Sequence, residues 1–207
     1  MIKDIIKKIV KVLFKNFYER RYTNHPIYLK YYIAQKLFKF NSKAYWPVDW
    51  RSNIIGSEYI YVGVGSAPGY NLGCYITASK DSPLYIGDYT IIAANVILPS
   101  RNHNIYNYRV HDKGGIRIGD YCWLGANVTI LPNVELGNHT IIGAGSVVTK
   151  SYKDGYAILA GNPARVIKKL NKEQCIEKKD LCEYHGYIKK EYFNSFKKKH
   201  LKIEQVI

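Results

Sequence analysis

The stretch "IGDYCWLGANVTILPNVELGNHTIIGAGSVVTK", residues 118–150, decides the fold because its pattern returns every six residues. The first position of each hexad is aliphatic and the second is mostly glycine. The aliphatic residues are Ile118, Leu124, Ile130, Leu136, Ile142 and Val148. A period of six fits neither an α-helix nor an alternating strand. It predicts short strands joined by sharp turns, with three strands and about eighteen residues to each coil.

The same pattern predicts where the core lies. The aliphatic residue points into a three-sided prism, and the fifth position, small or β-branched as in Val128 and Ser146, fits beneath it. Glycine tolerates positive φ at the turns, and stacked coils pair in parallel around one continuous core. The pattern recurs upstream at Ile86, Ile92 and Leu98. Two blocks with one pattern are difficult to explain by chance spacing in an Ile/Val-rich sheet protein.

Between the two blocks the repeat stops for "SRNHNIYNYRVHDKGG", residues 100–115. The faces of a rigid prism are flat, whereas catalysis needs a concave site. A polar loop held by a rigid scaffold can provide one. The loop contains His103 and His111, and an imidazole titrates near neutral pH, as a general base must. On the residues alone, an exposed loop histidine without a role remains an alternative for both.

Charge divides the chain into three segments, which we take as the domain organisation. Residues 1–43 hold eleven Lys and Arg against two acids, and residues 165–207 hold twelve against six. The central body, residues 44–164, has eight of each and is neutral. A nucleic-acid-binding protein usually has its basic stripe on the folded body. The distribution therefore favours contact of basic ends with an anionic membrane over contact with nucleic acid.

The two ends are predicted to be helical. In residues 2–17 one helical face is apolar and the other is rich in lysine, which fits either a packed helix or a helix lying on anionic lipid. A second helix, roughly residues 27–40, is rich in aromatic residues and is predicted to pack on the body. The basic segment 165–207 is predicted to be largely helical.

Several classes of protein are disfavoured by what the sequence lacks. No apolar run reaches the ~18–20 residues that span a bilayer, and no secretory signal is evident, which predicts a cytoplasmic location, with at most peripheral contact at the inner face of the membrane. The four cysteines have no C-x-x-C spacing, so we expect reduced, structural thiols and no zinc site.

The hexads of residues 118–150, followed by "AGNPARVIKKL", resemble the hexapeptide-repeat acyltransferases. Within them the sequence is most similar to the sugar and polysaccharide O-acetyltransferases and to the galactoside, maltose and streptogramin acetyltransferases. The resemblance covers roughly residues 50–170. It implies a left-handed parallel β-helix, a homotrimer, acetyl-CoA as acyl donor, no metal, and a donor site in the groove between neighbouring prisms.

The resemblance also implies roles for individual residues. His103, at the start of the loop, corresponds to the general base. Trp123 would lie against the pantetheine arm of CoA, as would the backbone at Gly125, Ala126 and Ala144. Contacts further along CoA fall to Thr149 and Lys150, and the nucleotide phosphates to Arg165 and Lys168. A backbone amide near Gly125 and Ala126 is a candidate for stabilising the oxyanion.

The acceptor side is less readable. Asn71 and His111 are weak candidates for acceptor binding, and His139 is expected to be merely exposed. Many relatives have an aspartate after the catalytic histidine, whereas this chain has Asn104. If a carboxylate normally orients the ring, a backbone carbonyl or another acid, with Asp112 nearest, must do so here.

The function implied is acetyl transfer to a sugar hydroxyl of a surface glycan (capsule, O-antigen or exopolysaccharide) or its precursor. Acylation of an amino sugar, a nucleotide sugar or an antibiotic on the same fold is the alternative. A zinc carbonic anhydrase on this prism needs three converging histidines, and only His103 and His111 share the loop. A purely structural solenoid would have uninterrupted flat faces, which the loop contradicts.

Overall fold

The structure is a computed structural model that describes residues 19–20, 23 and 25–203. The N-terminal apolar and basic segment, residues 2–17, lies outside the described residues. The described part contains two helices, α1 (Leu29–Lys36) and α2 (Lys190–His200), sixteen short strands, and 3-10 turns at Ser57–Tyr59 and Lys172–Gln174.

The strands form a three-sided parallel β-helix, as the hexads predict. Sheet I contains β1 (Asn53–Ile55), β3 (Tyr75–Thr77), β6 (Ile97–Pro99), β9 (Thr129–Ile130) and β12 (Val147–Val148). Sheet II contains β2 (Ile60–Val62), β4 (Leu84–Ile86), β7 (Ile116–Ile118) and β10 (Val134–Leu136). Sheet III contains β5 (Ile91–Ile92), β8 (Trp123–Leu124), β11 (Thr140–Ile142), β13 (Ala157–Gly161) and β14 (Ala164–Lys169). From β4 to β12 the chain visits the sheets in the repeating order II, III, I.

The pairing register confirms the coil length. Leu136 pairs with Ile118, and a side chain–backbone hydrogen bond one coil apart, from the Asp120 amide to Asn138, joins residues separated by 18 positions. Across the loop, Ile118 pairs with Ile86, and the equivalent bond between Asp88 and Asp120 spans 32 positions. The loop therefore adds residues to one coil without changing which positions face inward.

The core follows the hexad. All six aliphatic first positions of residues 118–150 are buried, and so are the fifth-position residues Cys122, Val128, Val134, Thr140 and Ser146. Glycine at the second position is required by close packing between coils. A Cβ on Gly125 would lie 2.7 Å from the Ala144 nitrogen, and one on Gly87 would lie 2.5 Å from the carbonyl carbon of Gly119.

The C-terminal segment corrects the prediction of a largely helical tail. Residues 164–169 form β14, which pairs antiparallel with β13. A second hairpin, β15 (Tyr184–His185) and β16 (Ile188–Lys189), precedes α2, the one α-helix described between residues 165 and 203. Phe193 of α2 is buried and stacks on His185, so this end of the chain covers part of sheet II.

Candidate active site

The interrupting loop leaves the corner between sheets I and II and folds as a small hairpin. His103 and His111 form an antiparallel bridge, and the Asn104 amide donates to the Val110 carbonyl at 2.9 Å. The Asn104 side chain forms hydrogen bonds within the hairpin. Its oxygen accepts from the amides of Tyr106 and Asn107, each at 3.0 Å, and its nitrogen donates to Asp112 at 2.9 Å. Asn104 therefore holds the loop in shape.

A backbone carbonyl orients His103. The ring nitrogen Nδ1 lies 2.5 Å from the carbonyl oxygen of Tyr108. Because a carbonyl oxygen only accepts, Nδ1 must carry the proton, which leaves the lone pair of the neutral ring on Nε2. This is the tautomer that a general base needs. Of the two sequence-based candidates, the carbonyl takes the orienting position, while Asp112 bonds to Asn104 instead.

His111 lies beside His103, with ring centroids 4.2 Å apart. Desolvation, together with the positive charges of Arg101 and of a protonated His103, lowers the pKa of His111. The side chain is exposed at the loop surface. A neutral second imidazole here can donate or accept a hydrogen bond, as an acceptor contact would.

Three of the residues predicted for the acyl donor, Trp123, Arg165 and Lys168, lie on sheet III. Trp123 projects outward from β8 and is 52% exposed. The register runs from Trp123 through Ile141 and Ile158 to Lys168, so Lys168 lies in line with the indole. Three strand spacings put them about 14 Å apart. The exposed Arg165 lies further along the same strand, opposite Ala160, on a strand and not on a helix as predicted.

The backbone positions Gly125, Ala126 and Ala144 meet at the corner between sheets III and I. The Gly125 amide donates to the Ile142 carbonyl at 2.9 Å, so it is not available to an oxyanion. Of the two backbone amides considered for the oxyanion, that of Gly125 is therefore excluded. The amide of Ala126, a partly exposed residue, remains a candidate. Ala144 is exposed on the next coil. Small side chains keep this corner open.

Other predicted residues lie elsewhere on the prism. Thr149 and Lys150 are exposed at the corner between sheets I and II, beneath the loop. The Asn71 side chain donates to the Ile92 carbonyl at 2.7 Å and so supports the scaffold with its nitrogen. One chain therefore places the loop with His103 and the row containing Trp123 on different sides of the prism.

Three of the four histidines outside the loop, His25, His139 and His185, are buried, which the sequence did not indicate, whereas His200 is exposed. His139, expected to be exposed, stacks between Tyr121 and Tyr156, with its ring 3.6 Å from a Glu177 oxygen. His25 and His185, placed outside the body on sequence, bond to the carbonyls of Gly65 and Val62. Burial lowers the pKa of His25 to about 4 and lowers that of His185.

A column of aromatic rings at the corner between sheets II and III was also missed. Successive stacked rings have centroids 5.0 to 5.3 Å apart, and the column consists of Tyr89, Tyr121, His139 and Tyr156. We call it the aromatic corner. Its signal was present in the sequence, since "GDY", "GDY" and "GNH" put an aromatic ring at the fourth position of three hexads.

Comparison with known proteins agrees with this geometry. The family model described as bacterial transferase hexapeptide (six repeats) matches residues 115–150. The candidate acetyltransferase YvoF of Bacillus subtilis (strain 168) is 32% identical over 123 residues, which is 59% of this chain and 69% of YvoF. The candidate lipopolysaccharide biosynthesis O-acetyl transferase WbbJ of Escherichia coli (strain K12) is 33% identical over 112 residues, 48% of this chain and 57% of WbbJ.

Among solved structures, a galactoside acetyltransferase in complex with coenzyme A superposes with a TM-score of 0.52 and 25% identity. The match covers 80% of this chain and 83% of that one. All three comparisons indicate the same family. This chain belongs to the hexapeptide-repeat acyltransferase family, whose parallel β-helix is left-handed.

Proposed function

We propose that this protein transfers an acetyl group from acetyl-CoA to a sugar hydroxyl of a surface glycan or its precursor. The observation that carries the proposal is His103, held by a carbonyl in the tautomer that leaves Nε2 free to accept a proton. The names of its relatives support the reaction class, because the galactoside enzyme was solved with coenzyme A and WbbJ is named for lipopolysaccharide biosynthesis. Because this chain spans little more than half of WbbJ, the glycan acceptor belongs to the proposal.

The chemistry follows from the tautomer. Nε2 of His103 removes the hydroxyl proton as the sugar oxygen attacks the thioester carbonyl carbon. The resulting oxyanion accepts a hydrogen bond from the Ala126 amide. Collapse of the tetrahedral intermediate breaks the C–S bond, and the departing thiolate takes the proton from the His103 imidazolium. The products are an acetyl ester and free CoA, and the neutral base is restored.

The donor would lie along sheet III. Trp123 covers the pantetheine arm, and the small corner residues Gly125, Ala126 and Ala144 allow close approach of that arm. Lys168 and Arg165, about 14 Å or more from the indole, suit the nucleotide phosphates because cations bind them directly. Thr149 and Lys150 would contact CoA from the corner beneath the loop. For the acceptor, the Asn71 oxygen and His111 are the available polar contacts.

A homotrimer would bring these parts together. His103 and Trp123 lie on different sides of one prism, so a complete site needs the loop of one copy against sheet III of another. The outward surfaces of sheets I and III support this, since they expose apolar side chains that need covering: Ile55, Tyr75, Ile97, Ile91 and Trp123. The loop tip is also apolar, with Ile105 and Tyr106 almost fully exposed.

We place the protein in the cytoplasm, at the inner face of the membrane. The support is the distribution of charge, with a surplus of nine positive charges in residues 1–43 beside a neutral body. Cationic segments are attracted to anionic lipid, with about 1 kcal/mol for each lysine near the surface. An enzyme that modifies a lipid-linked glycan would meet its acceptor there.

The test is release of free thiol from acetyl-CoA against a panel of sugars and nucleotide sugars, followed by substitution of the two loop histidines. His103→Ala should lower kcat about 10²- to 10⁴-fold and leave CoA affinity nearly unchanged, as expected for loss of a general base. His111→Ala, in the same hairpin, is the matched control and should do much less. An effect below about tenfold for His103→Ala on the true acceptor, or the reverse ranking of the histidines, would overturn the assignment.

A further inference from the structure

Helix α1 has one face buried against the body and, opposite it, an exposed row of apolar side chains. The inner face is buried against the body and consists of Tyr31, Ala34 and Gln35. The outer face carries Leu29, Ile33 and the C-terminal cap Leu37, at spacings of four residues that put them in one row. A surface helix normally turns polar side chains to water, and a helix that is apolar all round is normally covered. The outer row therefore lacks the environment its composition requires.

The apolar surface continues past the end of the helix. Leu37 is 69% exposed and Phe38 is 65% exposed, and Phe40 follows them in the exposed turn. Tyr28, directly before the helix, is also exposed. We call this set the α1 surface: Tyr28, Leu29, Ile33, Leu37, Phe38 and Phe40. Contiguous exposure of this kind, in contrast to scattered single residues, marks a site of interaction.

Charge around the α1 surface has one sign. Residues 25–48 contain four lysines, at positions 30, 36, 39 and 43, and no aspartate or glutamate. The next acid along the chain, Asp49, is buried and bonded to Arg51 at 2.9 Å. The Lys30 ammonium lies 5.0 Å from the centre of the Tyr31 ring, so its stem follows the apolar side chains while its charge stays at the surface.

These features identify the partner by its chemistry. Protein elements that lie in the interface of an anionic bilayer typically have aliphatic and aromatic side chains surrounded by lysines. A second copy of the chain is a poorer partner, because a two-fold contact would put the same lysines against each other, and the proposed trimer contact uses sheets I and III and the loop instead. Helix α1 has eight residues and is only about 12 Å long, much shorter than the hydrocarbon core of a bilayer, so it would lie on the membrane surface.

We propose that the α1 surface docks on an anionic lipid bilayer, with its aliphatic row and aromatic side chains in the headgroup region and its lysines at the lipid phosphates. This site is distinct from residues 2–17. It does not depend on the acyl-transfer reaction, and vesicle binding measures it without any acceptor. Docking here would fix the orientation of the prism relative to the membrane.

The first test is co-sedimentation of the full chain with vesicles of phosphatidylcholine, alone or mixed with phosphatidylglycerol. We expect binding to the mixed vesicles only. The double variant Ile33→Glu, Leu37→Glu should bind them at least about tenfold more weakly, since it removes two apolar contacts and adds repulsive charge. The matched control is Ile176→Glu, Leu181→Glu, which alters two exposed apolar residues of the C-terminal arm, by which we mean residues 170–203. Equal binding by both variants would overturn the proposal.

A local readout separates the α1 surface from the rest of the chain. A polarity-sensitive fluorophore on Leu37→Cys, in a background with Cys175→Ser and Cys182→Ser, should shift to the blue with mixed vesicles. The remaining cysteines, Cys74 and Cys122, are buried. The same label on Leu181→Cys should not shift. If the chain binds vesicles without a shift at position 37, another segment makes the contact and the proposal fails.

Sedimentation in the absence of lipid addresses the remaining alternative. The Ile33→Glu, Leu37→Glu variant should have the same oligomeric state as the unmodified chain and the same rate of acetyl transfer to a soluble sugar. If the substitutions instead dissociate an oligomer, the α1 surface is covered by a second copy and the membrane assignment is wrong.

Discussion

Two corners of the prism use the same unusual backbone conformation with opposite side chains. At the aromatic corner, the φ angles of Tyr89, Tyr121, His139 and Tyr156 lie between 51° and 54°. At the corner between sheets III and I, which we call the asparagine corner, Asn95 and Asn127 have φ of 58° and Gly145 has φ of 71°. The left-handed region costs a bulky residue about 1–2 kcal/mol, and asparagine or glycine much less.

The difference shows that the two corners serve different purposes. The aromatic corner accepts a backbone cost because stacked rings and the C-terminal arm cover it, with Asp180 donating its amide to the Tyr89 hydroxyl and Lys172 lying 4.8 Å from the Tyr156 ring centre. At the asparagine corner, Asn95 donates to Asn127 at 3.1 Å and nothing bulky projects. One corner stabilises the coil, and the other leaves open the surface beside Ala126 and Ala144, where we propose that the acyl donor binds.

The largest effect on stability should come from pH, through the top of the aromatic corner. His25 bonds to the carbonyl of Gly65. Gly65 packs directly against Tyr89, the first ring of the aromatic corner. Its pKa is about 4 in the fold, against an ordinary value of 6.5. The unfolded chain therefore takes up a proton first, and the free energy of unfolding should fall as the pH drops from about 6.5 to about 4, by up to about 3 kcal/mol. Chemical denaturation across this range measures it, and His25→Gln should flatten the profile.

Replacing a ring of the aromatic corner with asparagine, the residue type of the other corner, tests whether the stacked rings stabilise the fold. Tyr121→Asn removes the ring between Tyr89 and His139 and should lower the free energy of unfolding by about 2 kcal/mol, since two ring contacts are lost and the backbone strain is only partly relieved. The Michaelis constant for acetyl-CoA should not change. Tyr121→Phe keeps the stack and should leave stability within about 0.5 kcal/mol. A stable Tyr121→Asn protein would contradict a structural role for the column.

Placing an aromatic ring at the asparagine corner should instead weaken binding of acetyl-CoA. Asn127→Tyr puts a ring beside Ala126 and should raise the Michaelis constant for acetyl-CoA about tenfold, while costing about 1 kcal/mol of stability. Asn127→Ala is the matched control, because alanine also bears the cost of a left-handed backbone at φ of 58° but adds no ring to the corner. If both variants raise this Michaelis constant equally, the ring does not obstruct the donor, and the asparagine corner has no special relation to it.

The sequence predicted the interior of the molecule better than its exterior. Hexad phase alone located buried residues such as Leu124 and Ile142, because a six-residue period leaves one inward direction. It also located the loop. It could not predict the partner of His103, since the carbonyl of Tyr108 is brought to the ring by the hairpin. Backbone groups carry no sequence signal.

What the sequence left unpredicted at the C-terminus and in α1 has a common origin. Residues 165–169 belong to the basic segment predicted to be largely helical, but pairing with β13 makes them part of a strand, as tertiary context often overrides propensity. The aromatic segment 27–40 packs on the body as expected, through Tyr31 and Ala34, but Leu37 and Phe38 are largely exposed. Neither segment belongs to the repeat, so no periodic pattern indicated which neighbours it would meet.

The preserved register across the loop has an evolutionary consequence. Ile86 and Ile118 pair across 32 positions just as Ile118 and Leu136 pair across 18, so we expect insertions and deletions within the hairpin to leave the register of the coils unchanged. His103, the proposed base, and the Tyr108 carbonyl that orients it lie within the same hairpin, five residues apart. We therefore expect relatives to vary this segment as one module, and with it the acceptor they use, on an unchanged scaffold of coils.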